Sequence, residues 1–149
     1  GSIGLGALLR QTVRIPDPRG ASASGAQKRE LHLLVVEDDP AIQHMIGAML
    51  PGEFHIDSVP SAESALRQIK TATYDGCIID IRLAGERDGM ELIDRLREES
   101  AYRDTPMLAV TAYGQPGDEQ RFIEAGFDGY LAKPFTESEL LEAIQALWP

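Results

Sequence analysis

The chain has one cysteine, Cys77, among 149 residues, and it lacks any long apolar stretch. A single thiol cannot form an intramolecular disulfide, so the sequence favours a reducing compartment such as the cytoplasm. The apolar neighbours of Cys77 predict that it is a small core residue. No run approaches the roughly 20 apolar residues that a membrane-spanning helix needs, and the first residues do not resemble a signal peptide. We therefore expect no membrane insertion.

Basic residues are also scarce, because 14 lysines and arginines stand against 24 aspartates and glutamates, for a formal net charge of -10. This acidic balance argues against direct binding of nucleic acid or an anionic membrane through a basic patch. Its length and its 43% of hydrophobic residues fit one domain with a single core. The composition therefore predicts an acidic single domain that suits cationic partners.

Residues 1–30 differ in composition from the rest of the chain. Gly1-Ser2 is typical of a cloning scar, and residues 16–25 are rich in proline, glycine, alanine and serine, as linkers are. The segment 6–16 is compatible with the last strand of an upstream domain. We interpret residues 1–30 as a scar and linker or an upstream-domain remnant, and residues 31–149 as the folded domain.

From Leu31 onward, short apolar runs alternate with amphipathic segments, which is typical of βα units around a parallel sheet. Capping residues support the helices: Asp39 and Ser61 at N-termini, Gly126 at a C-terminus and Thr136 in a capping box. Five strands and five helices predict an α/β, flavodoxin-like doubly wound (βα)5 domain with a parallel sheet of order 2-1-3-4-5. The predicted apolar helix faces are Ile42, Met45, Ile46 and Met49; Ala62, Ala65, Leu66 and Ile69; Leu92, Ile93 and Leu96; Phe122, Ile123 and Ala125; and Leu140, Leu141, Ile144 and Leu147.

Polar residues follow four of the predicted strands: Glu37 and Asp38 follow the first, Asp80 ends the third, and Thr111 and Lys133 come at the fourth and fifth. In doubly wound sheets the ligand lies beyond the carboxyl ends of the strands, here between strands one and three. Crowded carboxylates are costly unless a cation neutralises them, and Mg²⁺ prefers oxygen ligands. The sequence therefore predicts a magnesium site that includes Asp38 and Asp80.

Asp80 is also the candidate nucleophile. A carboxylate can attack a phosphoryl group and form an aspartyl phosphate. This transfer depends on positioning and on stabilisation of the equatorial oxygens, which a metal, a lysine and a hydroxyl donor can supply. Lys133 and Thr111 fill the last two roles, although each residue alone is an ordinary residue of a strand end.

Residues 31–148 resemble the receiver domain of two-component response regulators. No single stretch is specific, but the ordered set is. The matching stretches are Leu34-Val35-Val36-Glu37-Asp38-Asp39, Ile79-Asp80 with Asp88-Gly89, Val110-Thr111-Ala112, and Gly129-Tyr130-Leu131-Ala132-Lys133-Pro134-Phe135.

The resemblance implies that Asp80 accepts a phosphoryl group from the phosphohistidine of a histidine kinase or a histidine phosphotransfer protein. It also implies that Mg²⁺, or Mn²⁺, is held by Asp38, Asp80 and the main-chain carbonyl of Arg82, with Glu37 reaching the ion through water. Such a domain is not a dedicated enzyme, but it catalyses its own phosphorylation and dephosphorylation.

The same resemblance assigns a switch. Thr111 would bond a phosphoryl oxygen, and Lys133 would pair with the phosphoryl group beside a cis peptide bond to Pro134. Tyr130 would turn inward when Thr111 moves. Phosphorylation would thereby change a surface formed by the fourth helix, fifth strand and fifth helix, through which a downstream protein binds.

One stretch departs from the family pattern. Ala84 stands where the family commonly has proline, and Asp88-Gly89 comes one residue later, so the loop after Asp80 is longer. Arg82 and Tyr113 occupy positions that in the family flank the hydrolytic water. We expect an altered lifetime of the phosphoryl group, in a direction that these residues leave open.

Two other functions are disfavoured by the residues. A small-molecule phosphatase resembling the haloacid-dehalogenase family would carry a second carboxylate where this chain has Arg82, and a cap domain for which there is little room. A receiver-like binding module that takes no phosphate would not need acceptor, metal carboxylate, threonine and lysine together. We expect no effector domain after Pro149, and the upstream linker leaves two architectures open, a single-domain regulator or the C-terminal receiver of a hybrid histidine kinase. Residues 6–16, which are compatible with the last strand of a kinase catalytic domain, favour the hybrid.

The remaining motifs predict no further site. His32, His44 and His55 lack helical or strand spacing for a metal pair, so we interpret them as scattered surface or packing residues. The segment 114–118 contains glycine but no Walker pattern, which argues against ATP binding.

Overall fold

The computed structural model of the protein describes residues 31–50, 52, 54–83, 88–112 and 115–149. Three subjects of the sequence analysis lie outside these residues: the interpreted linker 1–30, Ala84 in the loop after Asp80, and Tyr113. The elements follow one another as strand and helix throughout. They are β1 (Leu31–Val36), α1 (Pro40–Met49), β2 (Phe54–Val59), α2 (Ala62–Gln68), β3 (Gly76–Asp80), α3 (Gly89–Glu98), a 3-10 turn (Ser100–Tyr102), β4 (Met107–Thr111), α4 (Asp118–Ala125), β5 (Gly129–Ala132) and α5 (Glu137–Leu147).

The five strands form one parallel sheet in the order β2-β1-β3-β4-β5, which confirms the predicted fold class. In the register of this sheet, Val36 lies beside Ile79, and Asp80 lies beside Val110. The residues that follow β1 and those that end β3 and β4 therefore meet at one edge. This is the edge at which the sequence predicts the site.

Side chains of alternate strand residues build a core layer on each face of the sheet, as the twofold period of a strand requires. Leu34, Cys77 and Ile79 pack with α2, α3 and α4 on one face. Leu33 and Ile78 pack with α1 and α5 on the other. Every residue of β3 and β4 is buried, so these two strands hold their carboxyl ends in a rigid setting. Cys77 is fully buried, as predicted.

The predicted caps are confirmed. The Asp39 side chain accepts from the main-chain N–H of Ala41, and Ser61 caps α2. Thr136 and Glu139 form the capping box of α5. Gly126 ends α4 with φ of 120°, a left-handed conformation that glycine adopts without the Cβ penalty of other residues.

One predicted apolar face is partly wrong. Ile123 of α4 is 46% exposed, whereas Phe122 is fully buried. Consecutive residues of an α-helix point about 100° apart, and in α4 the direction of Ile123 leads away from the core while that of Phe122 leads into it. The other predicted faces contact the core, with some members only partly buried; Leu92, Ile93 and Leu96 of α3 are completely buried. Within the described ranges, no helix combines the length and apolar character needed to cross a bilayer.

Candidate functional site

Three carboxylates converge at the carboxyl edge of the sheet. Glu37 follows β1, Asp38 comes next in the chain, and Asp80 ends β3. One carboxylate oxygen from each lies within 4.8 Å of the others. Glu37 is 2% and Asp80 5% exposed, while Asp38 is exposed, so the group forms a pocket with two buried walls and one open side.

Lys133 brings the compensating positive charge from the end of β5. Its Nζ lies 3.0 Å from Oε1 of Glu37 and 3.3 Å from Oδ2 of Asp80. The peptide bond between Lys133 and Pro134 is cis. The Lys133 main-chain N–H also donates to the carbonyl of Thr111 at 2.7 Å, which continues the β4–β5 pairing beyond Ala132 and fixes where the lysine leaves the sheet.

Burial and neighbouring charges shift the pKa values of Glu37 and Lys133. Burial raises the pKa of the Glu37 carboxyl to about 7, and the negative charge of Asp80 adds to the increase, while hydrogen bonds from Lys133 and from the Asp39 N–H oppose it. For Lys133, burial lowers the pKa, but the hydrogen bond to Glu37 and the charge of Asp80 outweigh it, and the pKa is raised overall. The lysine is therefore charged at neutral pH.

Main-chain contacts fix the position of Asp80. Its Oδ1 accepts from the main-chain N–H of Arg82 at 3.1 Å, and the Ile81 N–H donates to the Val110 carbonyl at 2.9 Å. Gly89, the first residue of α3, donates its N–H to the Ile81 carbonyl. A Cβ on Gly89 would lie 2.5 Å from the Asp80 carbonyl oxygen. Only glycine therefore allows α3 to begin this close to the end of β3.

Thr111 and Tyr130 lie on the neighbouring strands β4 and β5. Thr111 is the last residue of β4 and is 5% exposed. Tyr130 is partly buried in β5, and its ring centroid lies 5.9 Å from that of Phe122 in α4. Arg82 is exposed, and beside Lys133 and Pro134 the surface opens into a cleft lined mainly by apolar side chains.

The donor set fits a hard divalent cation. Carboxylate oxygens are the protein ligands that Mg²⁺ binds, and Mg²⁺ commonly uses one or two of them together with waters and phosphate oxygens. The pocket supplies three such groups within 4.8 Å of one another, with Asp38 on its open side. The groups contain no thiol or imidazole, which softer metals would favour.

The sequence analysis missed a second cluster. His32 and His55 are not scattered, because their ring centroids lie 4.4 Å apart, and Asp57 lies next to both. Their residues are direct partners in the β1–β2 register. The sequence did contain one signal, the spacing His55-Ile56-Asp57, which puts two possible ligands on one face of a strand. That His32 lies beside His55 depends on the register between β1 and β2, which the sequence does not show. His44 lies apart on α1 and is exposed.

Comparison with known proteins gives a consistent result. The family model described as "Response regulator receiver domain" matches residues 33–145. The transcriptional regulatory protein TcrA of Mycobacterium tuberculosis is 33% identical over 130 residues, which cover 87% of this chain and 50% of TcrA. The chain thus spans about half the length of that curated relative.

Solved structures agree with the family model. A response regulator structure from Chloroflexus aurantiacus has a TM-score of 0.73 and 34% identity, covering 78% of this chain and 96% of that one. The receiver domain of a sensor histidine kinase from Pseudomonas aeruginosa has a TM-score of 0.70 and 33% identity, with 78% and 96% covered. That structure carries a magnesium ion coordinated in its active-site cleft.

Proposed function

The chain belongs to the response regulator receiver domain family, and on that premise we propose that it takes a phosphoryl group from phosphohistidine onto Asp80. Receiver domains act in two-component signal transduction and phosphorelays, interact with histidine kinases, and are generally not dedicated enzymes. The donor is a histidine kinase or a histidine phosphotransfer protein. The function of this chain is then to hold the phosphoryl group for a limited time and to signal its presence.

The placement of Asp80 carries the proposal. Its Oδ1 is held by the Arg82 N–H, and its Oδ2 lies 3.3 Å from Lys133 Nζ, in a setting that is 5% exposed. A carboxylate oxygen of Asp80 forms the new P–O bond while the P–N bond of the donor breaks, and the imidazole keeps the electron pair and takes up a proton. Lys133 and the Thr111 hydroxyl would bind the oxygens of the transferred group.

The metal requirement follows from the same residues. Asp38, Asp80 and the main-chain carbonyl of Arg82 would hold Mg²⁺ or Mn²⁺, with Glu37 reaching it through water. When bound, the ion supplies positive charge to the phosphoryl oxygens during transfer. Lys133, which pairs with Glu37 at 3.0 Å, would supply a second positive charge to the same oxygens.

The output is a change of surface. Thr111 moves toward the phosphoryl group, and Tyr130, partly buried beside Phe122, turns inward. The affected surface is that of α4, β5 and α5, where a downstream protein binds.

Further properties complete the proposal. We assign residues 31–149 to the receiver unit, in the cytoplasm, where histidine kinases present their phosphohistidine. The domain catalyses its own phosphorylation and dephosphorylation, and Arg82 and Tyr113 set the lifetime of the acyl phosphate. The segment 1–30 is a scar and linker or an upstream remnant, which is compatible with a receiver from a hybrid kinase.

The test is incubation with acetyl phosphate and Mg²⁺, followed by intact-mass analysis. We expect a gain of one phosphoryl group that requires the metal and is absent in Asp80→Asn. Asp94→Asn, at an exposed position of α3, is the matched control and keeps the gain. An adduct that persists in Asp80→Asn, or no adduct in a wild-type protein shown to bind Mg²⁺, would contradict the proposal. The latter result would favour a receiver-like module that binds partners without phosphate.

A further inference from the structure

We propose that His32, His55 and Asp57 form a second metal site, which binds Zn²⁺ at the amino end of the sheet, remote from the carboxylate pocket. His32 is the second residue of β1, and Glu37 follows the last. At about 3.3 Å per residue, the two sites are separated by about 16 Å along the strand. The site is therefore independent of the phosphorylation site and does not rest on the proposed function.

The strand geometry sets the ligands. His55 and Asp57 are two residues apart on β2, so their side chains lie on one face of the sheet, and His32 lies directly beside His55 on β1. Nε2 of His32 is 2.9 Å from Oδ2 of Asp57, and Nε2 of His55 is 3.9 Å from Oδ1. One ligand atom from each residue lies within 4.8 Å of the others.

Small side-chain rotations bring these atoms to the spacing of a tetrahedral ion. Zinc bonds of about 2.1 Å at tetrahedral angles place neighbouring ligand atoms about 3.4 Å apart. The distances of 2.9 and 3.9 Å run to different oxygens of Asp57, Oδ2 and Oδ1, so side-chain rotation must bring one Asp57 oxygen and both Nε2 atoms to this spacing. One ligand atom of each residue already lies within 4.8 Å of the others, so the rotations needed are small. His55 is 61% exposed, which gives the ion a path of entry and leaves room for water as a fourth ligand.

The donor chemistry selects the metal. Two imidazoles with one carboxylate are a ligand set that zinc uses in proteins, whereas Mg²⁺ takes oxygen ligands. The carboxylate pocket has only oxygen donors. The two sites therefore have opposite preferences, and the chain can bind both cations without competition.

Supporting hydrogen bonds hold the carboxylate in place. The Tyr74 hydroxyl donates to Oδ2 of Asp57 at 2.7 Å, and Nε2 of Gln68 donates to the same hydroxyl at 2.8 Å. Tyr74 is 3% exposed, and its ring centroid lies 4.5 Å from that of His32. Outer partners of this kind orient metal ligands, and their loss typically costs 10–100-fold in affinity. Oδ1, the oxygen nearer His55, is left to the ion.

The test is a calorimetric titration of the full chain with ZnCl₂ in the presence of Mg²⁺, together with the visible absorption of the Co²⁺ complex as a report of tetrahedral coordination. We expect one tight Zn²⁺ site per chain and a tetrahedral Co²⁺ spectrum. His55→Gln lowers the Zn²⁺ affinity at least tenfold and removes the spectrum. His44→Gln, an exposed histidine of α1, is the matched control and leaves both unchanged.

Two further variants sharpen the result. Tyr74→Phe keeps all three ligands but removes the hydrogen bond that orients Asp57. It should lower the Zn²⁺ affinity about tenfold or more, whereas a site that depends on its ligands alone would keep its affinity. Glu37→Gln should leave Zn²⁺ binding unchanged. Equal affinity in wild type and His55→Gln, or loss of binding in Glu37→Gln, would overturn the proposal, the second by assigning the zinc to the carboxylate pocket. Far-UV circular dichroism of each metal-free variant verifies that it is folded.

Discussion

Gly89→Ala is the substitution that most directly tests how the fold holds the acceptor. The added Cβ would lie 2.5 Å from the Asp80 carbonyl oxygen and 2.8 Å from the Ile81 Cα. Ordinary contact begins at 3.4 Å, so atoms must separate by 0.9 Å at the closer pair. Both neighbours are main-chain atoms at the end of β3, a strand buried along its whole length between β1 and β4. No flexible side chain can absorb the shift.

Two effects should follow. Overpacking of this kind typically costs about 1–3 kcal/mol, so the free energy of unfolding in urea should fall by that amount. A displacement of roughly 1 Å at a reacting group can cost about 10²-fold in rate, so phosphorylation of Asp80 by acetyl phosphate should slow by a similar factor. The free energy of unfolding is measured by urea denaturation, and the phosphorylation rate by intact mass in the presence of Mg²⁺.

Gly47→Ala is the matched control. Gly47 lies inside α1, and apart from the adjoining backbone of that helix no atom comes within 4 Å of the place that an added methyl group would take. Replacement there should stabilise the protein by about 0.5–1 kcal/mol, because alanine loses less backbone entropy in a helix. If Gly89→Ala unfolds at the wild-type urea concentration and is phosphorylated at the wild-type rate, α3 does not fix the position of the acceptor.

Two further predictions concern the scaffold. The Arg97 guanidinium donates to four main-chain carbonyls and to Asp128, so Arg97→Lys should lower the free energy of unfolding by about 2 kcal/mol, while Arg95→Lys on the exposed face should change it by less than about 0.5 kcal/mol. Equal free energies of unfolding for Arg97→Lys and Arg95→Lys would contradict this prediction. Burial raises the pKa of the Cys77 thiol from 9.0 to about 12, so its contribution to stability is present below pH 9 and lost as the pH rises toward 12. Urea unfolding across that range should show a steeper loss in wild type than in Cys77→Ala, and parallel curves would refute it.

The predictable part of the molecule is the part that local chemistry decides. Asp39 before Pro40, the Thr136 capping box and Gly126 each satisfy main-chain groups within a few residues, so their roles can be read from the chain alone. The alternation of apolar runs and amphipathic segments indicated the fold class for the same reason. The carboxylate pocket was predictable because parallel strands bring all their carboxyl ends to one edge.

What the sequence could not reveal depends on contacts between distant residues. The pairing of His32 with His55 requires the β1–β2 register, which no local signal defines. Arg97 reads as an ordinary helix arginine, yet it spans to Gly126, 29 residues away. The exposure of Ile123 depends on the rotation of α4 about its axis, and two adjacent apolar residues leave that rotation open.

The charge balance of the two clusters explains why they should select different cations. The carboxylate pocket holds three acidic side chains against Lys133, for a formal charge of two negative units when all are ionised, and a hard divalent cation balances it. The histidine cluster holds a single carboxylate that is already bonded by Tyr74. Its attraction for a cation must therefore come from imidazole nitrogen, which Zn²⁺ accepts and Mg²⁺ rarely does. One sheet thus presents oxygen ligands at its carboxyl edge and nitrogen ligands at its amino edge, and the identity of the cation distinguishes the two sites in a single titration.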